Sequence, residues 1–427
     1  MTFEQLPLDP RLLRGIQEMG FTKLTPVQER TLAVTLTGLD AAVQSQTGTG
    51  KTAAFLITIF QGQLVAEASR RKALIIAPTR ELAVQIEAEA KLIGRYLRAS
   101  VGCFYGGVGY NHQESMLKRG VDIMVGTPGR LLDLEHKDTL SMRDIGFLVI
   151  DEADRLFDMG FLPDIRKILR RVPTLKLRQT MLFSATLSDP AIRIAREYMN
   201  RPERIEITPE QITVDTITQE LYHVGSREKV SLLLGILKRD NPKSVLFFTN
   251  MKCDAERLCR KLVFNGYRCE FLTGDLPQSR RLRIINDFKS QRVFFLVATD
   301  VAARGLHIDD LDMVVNFDLP ADSENYVHRI GRTARAGKNG KAVSLACEKY
   351  VCNLEAIEKL INMKIPAVFA EENLFVRDKS RGMIFKAAAR PRGPENRSRR
   401  SGQPHGAPNR GSHMGRPRHA SRKTLNR

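Results

Sequence analysis

The chain of 427 residues is 42% hydrophobic, enough for two ordinary domains with cores of their own. Its net charge of +19 is uneven: residues 377–427 hold fifteen Lys and Arg against Asp378 and Glu395, a basic tail suited to a polyanionic partner. No apolar run nears the ~20 residues of a membrane span, the six cysteines make no CxxC pair, and MTFEQLPLDP lacks a leader's basic and apolar regions; transmembrane and disulfide-framework classes are excluded and a cytoplasmic protein is expected.

Asp9 and Pro10 open a first helical pattern that Gly20 closes. The short apolar run from Ala41 to Val43 predicts a strand, and SQTGTGKT (45–52) follows it, ahead of the helical pattern AAFLITIF. In such a strand–loop–helix, Gly48 and Gly50 let backbone N–H groups close on phosphates, Lys51 reaches the outer phosphates, and Thr52 binds the metal. Ser45 stands where the usual pattern begins with Gly, and a Gly-rich turn without a ligand is the alternative.

ALIIAP (73–78) predicts a strand leading into the helical RELAVQIEAEAKLIGRYL. FLVI (147–150) predicts another, and it runs straight into Asp151, Glu152 and Asp154. Carboxylates this close at the mouth of a buried strand repel one another unless a cation meets them. Asp151 is placed to hold Mg²⁺ against bound phosphates, partly through water, and Glu152 to activate a water. The other reading is an acidic helix N-terminus favoured by the dipole.

MLFSAT (181–186) follows, then a polar break near 205–218, after which SVLFFTN (244–250), FFLVATD (294–300) and MVVNFDLP (313–320) restart the rhythm. Short apolar strands separated by helices predict an α/β protein with parallel sheets covered on both faces. The break divides it into domains 1–206 and 218–366 joined by a linker, 207–217. A basic tail, 367–427, should be largely disordered, since Arg, Gly, Pro, Ser and Asn replace apolar residues from about Ala387.

The ordered set SQTGTGKT, PTRELA, TPGR, DEAD (151–154), SAT (184–186), ARG and HRIGRTAR resembles the motifs of DEAD-box ATP-dependent RNA helicases over roughly residues 1–366. The resemblance implies two tandem RecA-like domains, the P-loop core of superfamily 2 helicases, closing around ATP, Mg²⁺ and one RNA strand. It implies ATP contacts from Ser45, Gln46, Thr47, Gly48, Thr49, Gly50, Lys51 and Thr52, with Thr52 and Asp151 on the metal. Gln28, in GFTKLTPVQ (20–28), would bond the adenine edge, with Phe21 and Phe3 near the ring; a staple of Phe3 onto the first helix is an equal alternative.

By the same resemblance, Pro78, Thr79, Arg80, Gly106, Gly107, Thr127, Pro128, Gly129 and Arg130 match RNA-backbone contacts of the first domain. Thr249, Asn250, Gln278, Arg281 and Thr299 match the opposite wall of that groove. Arg332 and Arg335 match arginine fingers that reach the γ-phosphate from the second domain, against the alternative of a solvated basic face. His328 would couple Asp154 and the SAT residues Ser184, Ala185 and Thr186 to the grip on RNA.

Three positions depart from the family pattern: Ala334 replaces a Gly between the fingers, Thr273 a His in LTGD, and His307, in ARGLHI, an Asp that touches the ribose. LTGD, ARGLHI and SLACEKYVCNLEAIEKLINMKIP (344–366) resemble the bacterial RhlB branch, which implies RNA turnover and docking onto a degradosome-type endoribonuclease. The implied activity is unwinding of short duplexes by local strand separation. An RNA clamp with little turnover, a DNA-directed helicase, and another remodelling role such as ribosome assembly stay open.

Overall fold

The computed structural model describes residues 1–45, 49–65, 71–207, 217–303, 308, 311–333 and 340–383. Its first lobe is built on seven strands: β1 (Ala41–Gln44), β2 (Lys72–Ile76), β3 (Val101–Phe104), β4 (Ile123–Gly126), β5 (Ile145–Ile150), β6 (Gln179–Ser184) and β7 (Glu203–Glu206). They lie in the order β3-β4-β2-β5-β6-β1-β7, every pair parallel. Apolar residues along β2 alternate between the two faces, Ala73 and Ile75 into one core cluster, Leu74 and Ile76 into the other. That is why the strand reads as a continuous apolar run: helices cover both sides.

The second lobe repeats the plan with β8 (Ile217–His223), β9 (Val245–Phe248), β10 (Cys269–Leu272), β11 (Phe295–Ala298), β12 (Met313–Asn316) and β13 (Gly340–Ala346). Their order is β10-β11-β9-β12-β13-β8, again wholly parallel. Val245 and Phe247 face one cluster, Leu246 and Phe248 the other. The expected strands are present. The polar stretch read as a break is narrower than expected, because β7 reaches Glu206 and β8 starts at Ile217.

Ordered packing also runs past Pro366. Val368 N donates to Leu221 O (2.8 Å), and Val376 N donates to Ser231 O (3.1 Å). Gly235, on the helix Lys229–Asp240, faces the backbone of Leu374 so closely that a Cβ would sit 1.6 Å from its carbonyl oxygen. Asp378 then accepts from Lys261 Nζ (2.8 Å) and Asn265 Nδ2 (2.9 Å) on and beside the helix Lys252–Phe264. Val368, Leu374, Phe375 and Val376 supply the apolar cover that makes this strap, residues 367–383, a part of the second lobe. The remainder of the basic tail, including Ala387, lies outside the described residues. Among the described residues no helix is long and apolar enough to cross a membrane.

Candidate active site and nucleic-acid groove

The carboxyl ends of β1, β6 and β5 lie side by side, with Gln44 opposite Ser184 and Ile150 opposite Leu182. Ligand crevices of parallel sheets form at such ends. Ser45 N donates to Ser184 O (2.9 Å), and Lys51, 6% exposed at the start of the helix Lys51–Val65, donates from Nζ to Ser45 O (2.9 Å). The Ser45 and Thr49 hydroxyls share a 2.7 Å hydrogen bond. Gly50 has φ +91°, and a Cβ there would lie 2.4 Å from Gln28 Nε2, so this position needs glycine for its conformation and for its space. Gln46, Thr47 and Gly48 lie outside the described residues.

Gln28 is buried, and both ends of its carboxamide are engaged. Its Oε1 accepts from Thr25 N (2.9 Å), closing a capping box on the helix Pro26–Thr35, while Nε2 donates to Gly50 O (3.2 Å). Thr25 Oγ1 adds a bond to Thr49 O (2.7 Å). Phe3 is buried in the core cluster with Leu12 and Ile16, and its ring stacks on Phe21 at 6.4 Å between centroids.

Asp151 continues the β5 ladder by donating its N–H to Ile76 O (3.0 Å), and its Oδ1 accepts from Glu152 N (2.9 Å). Burial pushes this carboxyl above the ordinary range, while the Lys51 ammonium pulls it back down. Lys51 is the positive charge that meets Asp151 in this cluster. Among the described residues no three His, Cys, Asp or Glu side chains form a metal cage. One buried carboxylate, with Thr52 following Lys51 at the start of the loop's helix, suits Mg²⁺, which keeps waters and phosphate oxygens as its other ligands.

Glu152 is left-handed (φ +48°, ψ +55°), caps the short helix Ala153–Asp158, and is ion-paired with Arg155. A positive φ is uncommon for a residue other than glycine, and here it falls between a strand end and a helix start. Asp154 and the SAT segment are locked reciprocally. Asp154 N donates to Ser184 Oγ (3.1 Å), and Ala185 N donates back to Asp154 Oδ2 (3.1 Å). Thr186 is exposed.

The first wall of the expected groove is made of turns and helix starts. Pro78 is buried, and Thr79 Oγ1 accepts from Leu82 N (3.2 Å), capping the helix Arg80–Ile93. Arg80 lies over the Gly106–Gly107 turn, where Gly107 has φ +81°. Thr127 and Pro128 start the helix Pro128–His136, and nothing lies within 4 Å of where a Cβ would stand on Gly129. Arg130 is buried, donating to Gln113 Oε1 (2.9 Å) and Val108 O (2.9 Å), so it braces the glycine turn from behind.

The second wall stands on the carboxyl ends of β9 and β11. Thr249 and Thr299 are buried there, and Asn250 Nδ2 donates to Leu319 O (2.9 Å). Gln278 and Arg281 reach across to the first lobe: Gln278 Nε2 (3.1 Å) and Arg281 Nε (2.8 Å) both donate to Glu81 Oε1. The Thr273 carbonyl, at one of the departures from the family pattern, accepts from Arg281 Nη1 (3.1 Å). Arg332 and His328 line a crevice between the lobes together with Arg155, Asp300 and Asn325. Arg335, Ala334 and His307 lie outside the described residues.

Three residues that matter here were missed by sequence reasoning: Arg155, paired with Glu152, and Glu81 and Arg329. Glu81 is one charged letter within PTRELA, and only the second lobe shows what it pairs with. Arg329, inside HRIGRTAR, is 1% exposed and bonds Asp300 (2.6 and 2.7 Å), Asp318 O (2.7 Å) and Asn250 Oδ1 (3.1 Å).

A phosphate loop and an acidic strand end on one parallel sheet, with a second sheet of the same plan, define a two-lobed P-loop protein of the RecA-like type. Residues 25–194 match the model of the DEAD/DEAH box helicase family, and residues 228–337 match the helicase conserved C-terminal domain. The ATP-dependent RNA helicase RhlB of Shewanella frigidimarina is 46% identical over 382 residues, covering 88% of each chain. That of Xanthomonas axonopodis pv. citri is 48% identical over 374 residues, 86% of this chain. The chain spans 65% of the length of the Xanthomonas relative. Among solved structures, S. cerevisiae Dbp5 bound to RNA and ADP BeF3 is 32% identical with a TM-score of 0.76, covering 86% of this chain and 95% of that one. Mss116p bound to ssRNA and AMP-PNP is 31% identical with a TM-score of 0.77, covering 87% and 80%. The chain belongs to the DEAD/DEAH box helicase family.

Proposed function

We propose that the protein is an ATP-dependent RNA helicase that separates short duplexes locally, acting in RNA turnover in the cytoplasm. The observation that carries this reading is the reciprocal lock between Asp154 and the SAT strand end, set beside Lys51, Asp151 and Glu152 and below a crevice that holds Arg332 and His328. In this reading the loop from Ser45 to Thr52 wraps the phosphates and Gln28 reads the base, with Phe21 beside it and Phe3 supporting Phe21 from the core. Mg²⁺ held by Thr52 and Asp151 would supply charge for the phosphate oxygens when bound. Glu152 takes the proton of the attacking water, and Arg332 with Arg335 meets the charge that develops on the γ-phosphate.

RNA lies along Pro78–Arg80, Gly106–Gly107 and Thr127–Arg130 on one side and Thr249, Asn250, Gln278, Arg281 and Thr299 on the other. Small residues and backbone amides there suit phosphate and 2′-OH groups, so the grip ignores base identity. ATP and RNA together favour the closed arrangement, which bends one strand where a duplex cannot follow. His328, Asp154 and Ser184–Thr186 relay that state to the hydrolysis site. The chain is then divided as 1–206, 207–217 and 218–366 with a basic tail beyond, and docking onto a degradosome-type endoribonuclease extends the RhlB likeness. Steady-state hydrolysis of ATP with and without RNA or ssDNA tests this. RNA should stimulate turnover strongly and DNA little; a rate indifferent to RNA would instead favour an ATP-binding clamp.

A further inference from the structure

We propose that Arg155 is the positioning residue for Glu152, and that it is the group through which the second lobe acts on the general base. The inference rests on the reading of Glu152 as that base. Arg155 Nη1 is ion-paired with Glu152 Oε2, one helical turn away, and the two side chains are only 14% and 7% exposed. Screening by water is therefore weak, and a charge-assisted bond here constrains far more than a surface pair would.

The need for such a partner follows from the backbone. Asp151 is tied into the sheet by its N–H to Ile76, and Ala153 already begins a helix. Glu152 is caught between them in the left-handed region, where its side chain leaves the chain in a direction that neither the strand nor the helix sets. Arg155 sets it. A guanidinium presents five donors in one plane, so one edge can hold the carboxylate while another faces elsewhere.

For Arg155 that other direction is the crevice between the lobes, whose walls include Asp300, Asn325, His328 and Arg332. Asp300 is already held by Arg329, which fixes that wall as a rigid, charged surface. A movement of the second lobe changes the field and the donors around Arg155, and Arg155 passes the change to the carboxylate it holds.

The test measures kcat at saturating RNA, KM for ATP and RNA affinity for the parent, Arg155→Ala, Arg155→Lys, Glu152→Gln and the Glu152→Gln/Arg155→Ala double variant of the full chain. Arg155→Ala should lower kcat roughly 10- to 100-fold, part of what a misplaced general base forfeits, with KM for ATP and RNA affinity near the parent. Arg155→Lys, which keeps the charge, should recover most of the rate. The double variant should be no slower than Glu152→Gln, because both changes act through one carboxylate. Parent-like turnover in Arg155→Ala, no recovery with Lys, or losses that multiply in the double variant would each overturn the assignment. If Glu152→Gln itself hydrolyses ATP at the parent rate, the base reading fails as well, and a slow Arg155→Ala would then belong to lobe closure.

Discussion

Gly107 carries two constraints at one position, a φ of +81° and an Arg80 guanidinium 2.2 Å from where a Cβ would stand. Gly107→Ala should therefore strain the turn by about 1–2 kcal/mol and displace Arg80 from it. Filter binding should show RNA affinity falling several-fold while hydrolysis without RNA stays near the parent rate. Unchanged RNA affinity would take Arg80 and its turn out of the groove. Arg130, although it shares the TPGR motif with the groove residues, is a different case. It braces Val108 and Gln113 from inside, so its loss should lower stability and RNA affinity together.

At the scale of an element, the strap 367–383 shows how charge adds a fastening beyond the apolar cover of Val368, Leu374, Phe375 and Val376. Burial alone would raise the Asp378 carboxyl, but bonds from Lys261, Ser380 and Asn265 outweigh it and hold it down at about 2. A carboxyl lowered in the folded state stabilises above its unfolded value, near 4, and that stability is lost as pH falls towards 2. Asp378→Asn should thus lower the melting temperature by a few degrees at pH 7, and the two proteins should converge as pH falls from about 4 to 2. A constant difference across that window would show that Asp378 acts by shape and not by charge.

Apolar runs made β1, β2, β5, β6, β9, β11 and β12 legible, since a strand buried on both faces has nowhere to put a polar residue. β8 was partly hidden because ITQELYH interleaves polar residues, as the burial of its alternate side chains explains. The P-loop and the acidic strand end were legible because backbone geometry and phosphate chemistry leave few residue choices. Glu81, Arg155 and Arg329 were not, because each acts through a partner far along the chain or through a direction the backbone sets.

Over the whole molecule, Glu81 with Gln278 and Arg281 is a bond between lobes, and its ion-paired side chains are 9% and 10% exposed. Removing one partner of a pair this buried costs about 3–5 kcal/mol, which bears on the closed arrangement. Glu81→Gln should raise the RNA needed for half-maximal hydrolysis roughly ten-fold or more while ATP binding without RNA is unaffected. An unmoved half-saturation point would mean that closure does not use this bond. The tail belongs to the same scale, and the strap fixes where to cut it. Truncation after Met383 keeps the packed strap and removes twelve of the fifteen Lys and Arg of residues 377–427. Each single-strand phosphate released should flatten the slope of log K against log salt by ~0.7, with maximal turnover nearly intact; an unchanged slope would favour a solvated tail or one that meets an acidic protein partner.

The fastening of Gln28 limits how this protein could be re-engineered. One carboxamide closes the cap on the helix Pro26–Thr35 and holds the Gly50 carbonyl, so the part that would select the base is also a hinge pin of the part that wraps the phosphates. An attempt to swap ATP for another nucleotide by changing Gln28 alone would loosen the loop before it altered the preference. A designer would have to rebuild Thr25, Gln28 and Gly50 as a unit, or leave the pin in place and seek selectivity from the opposite face of the base.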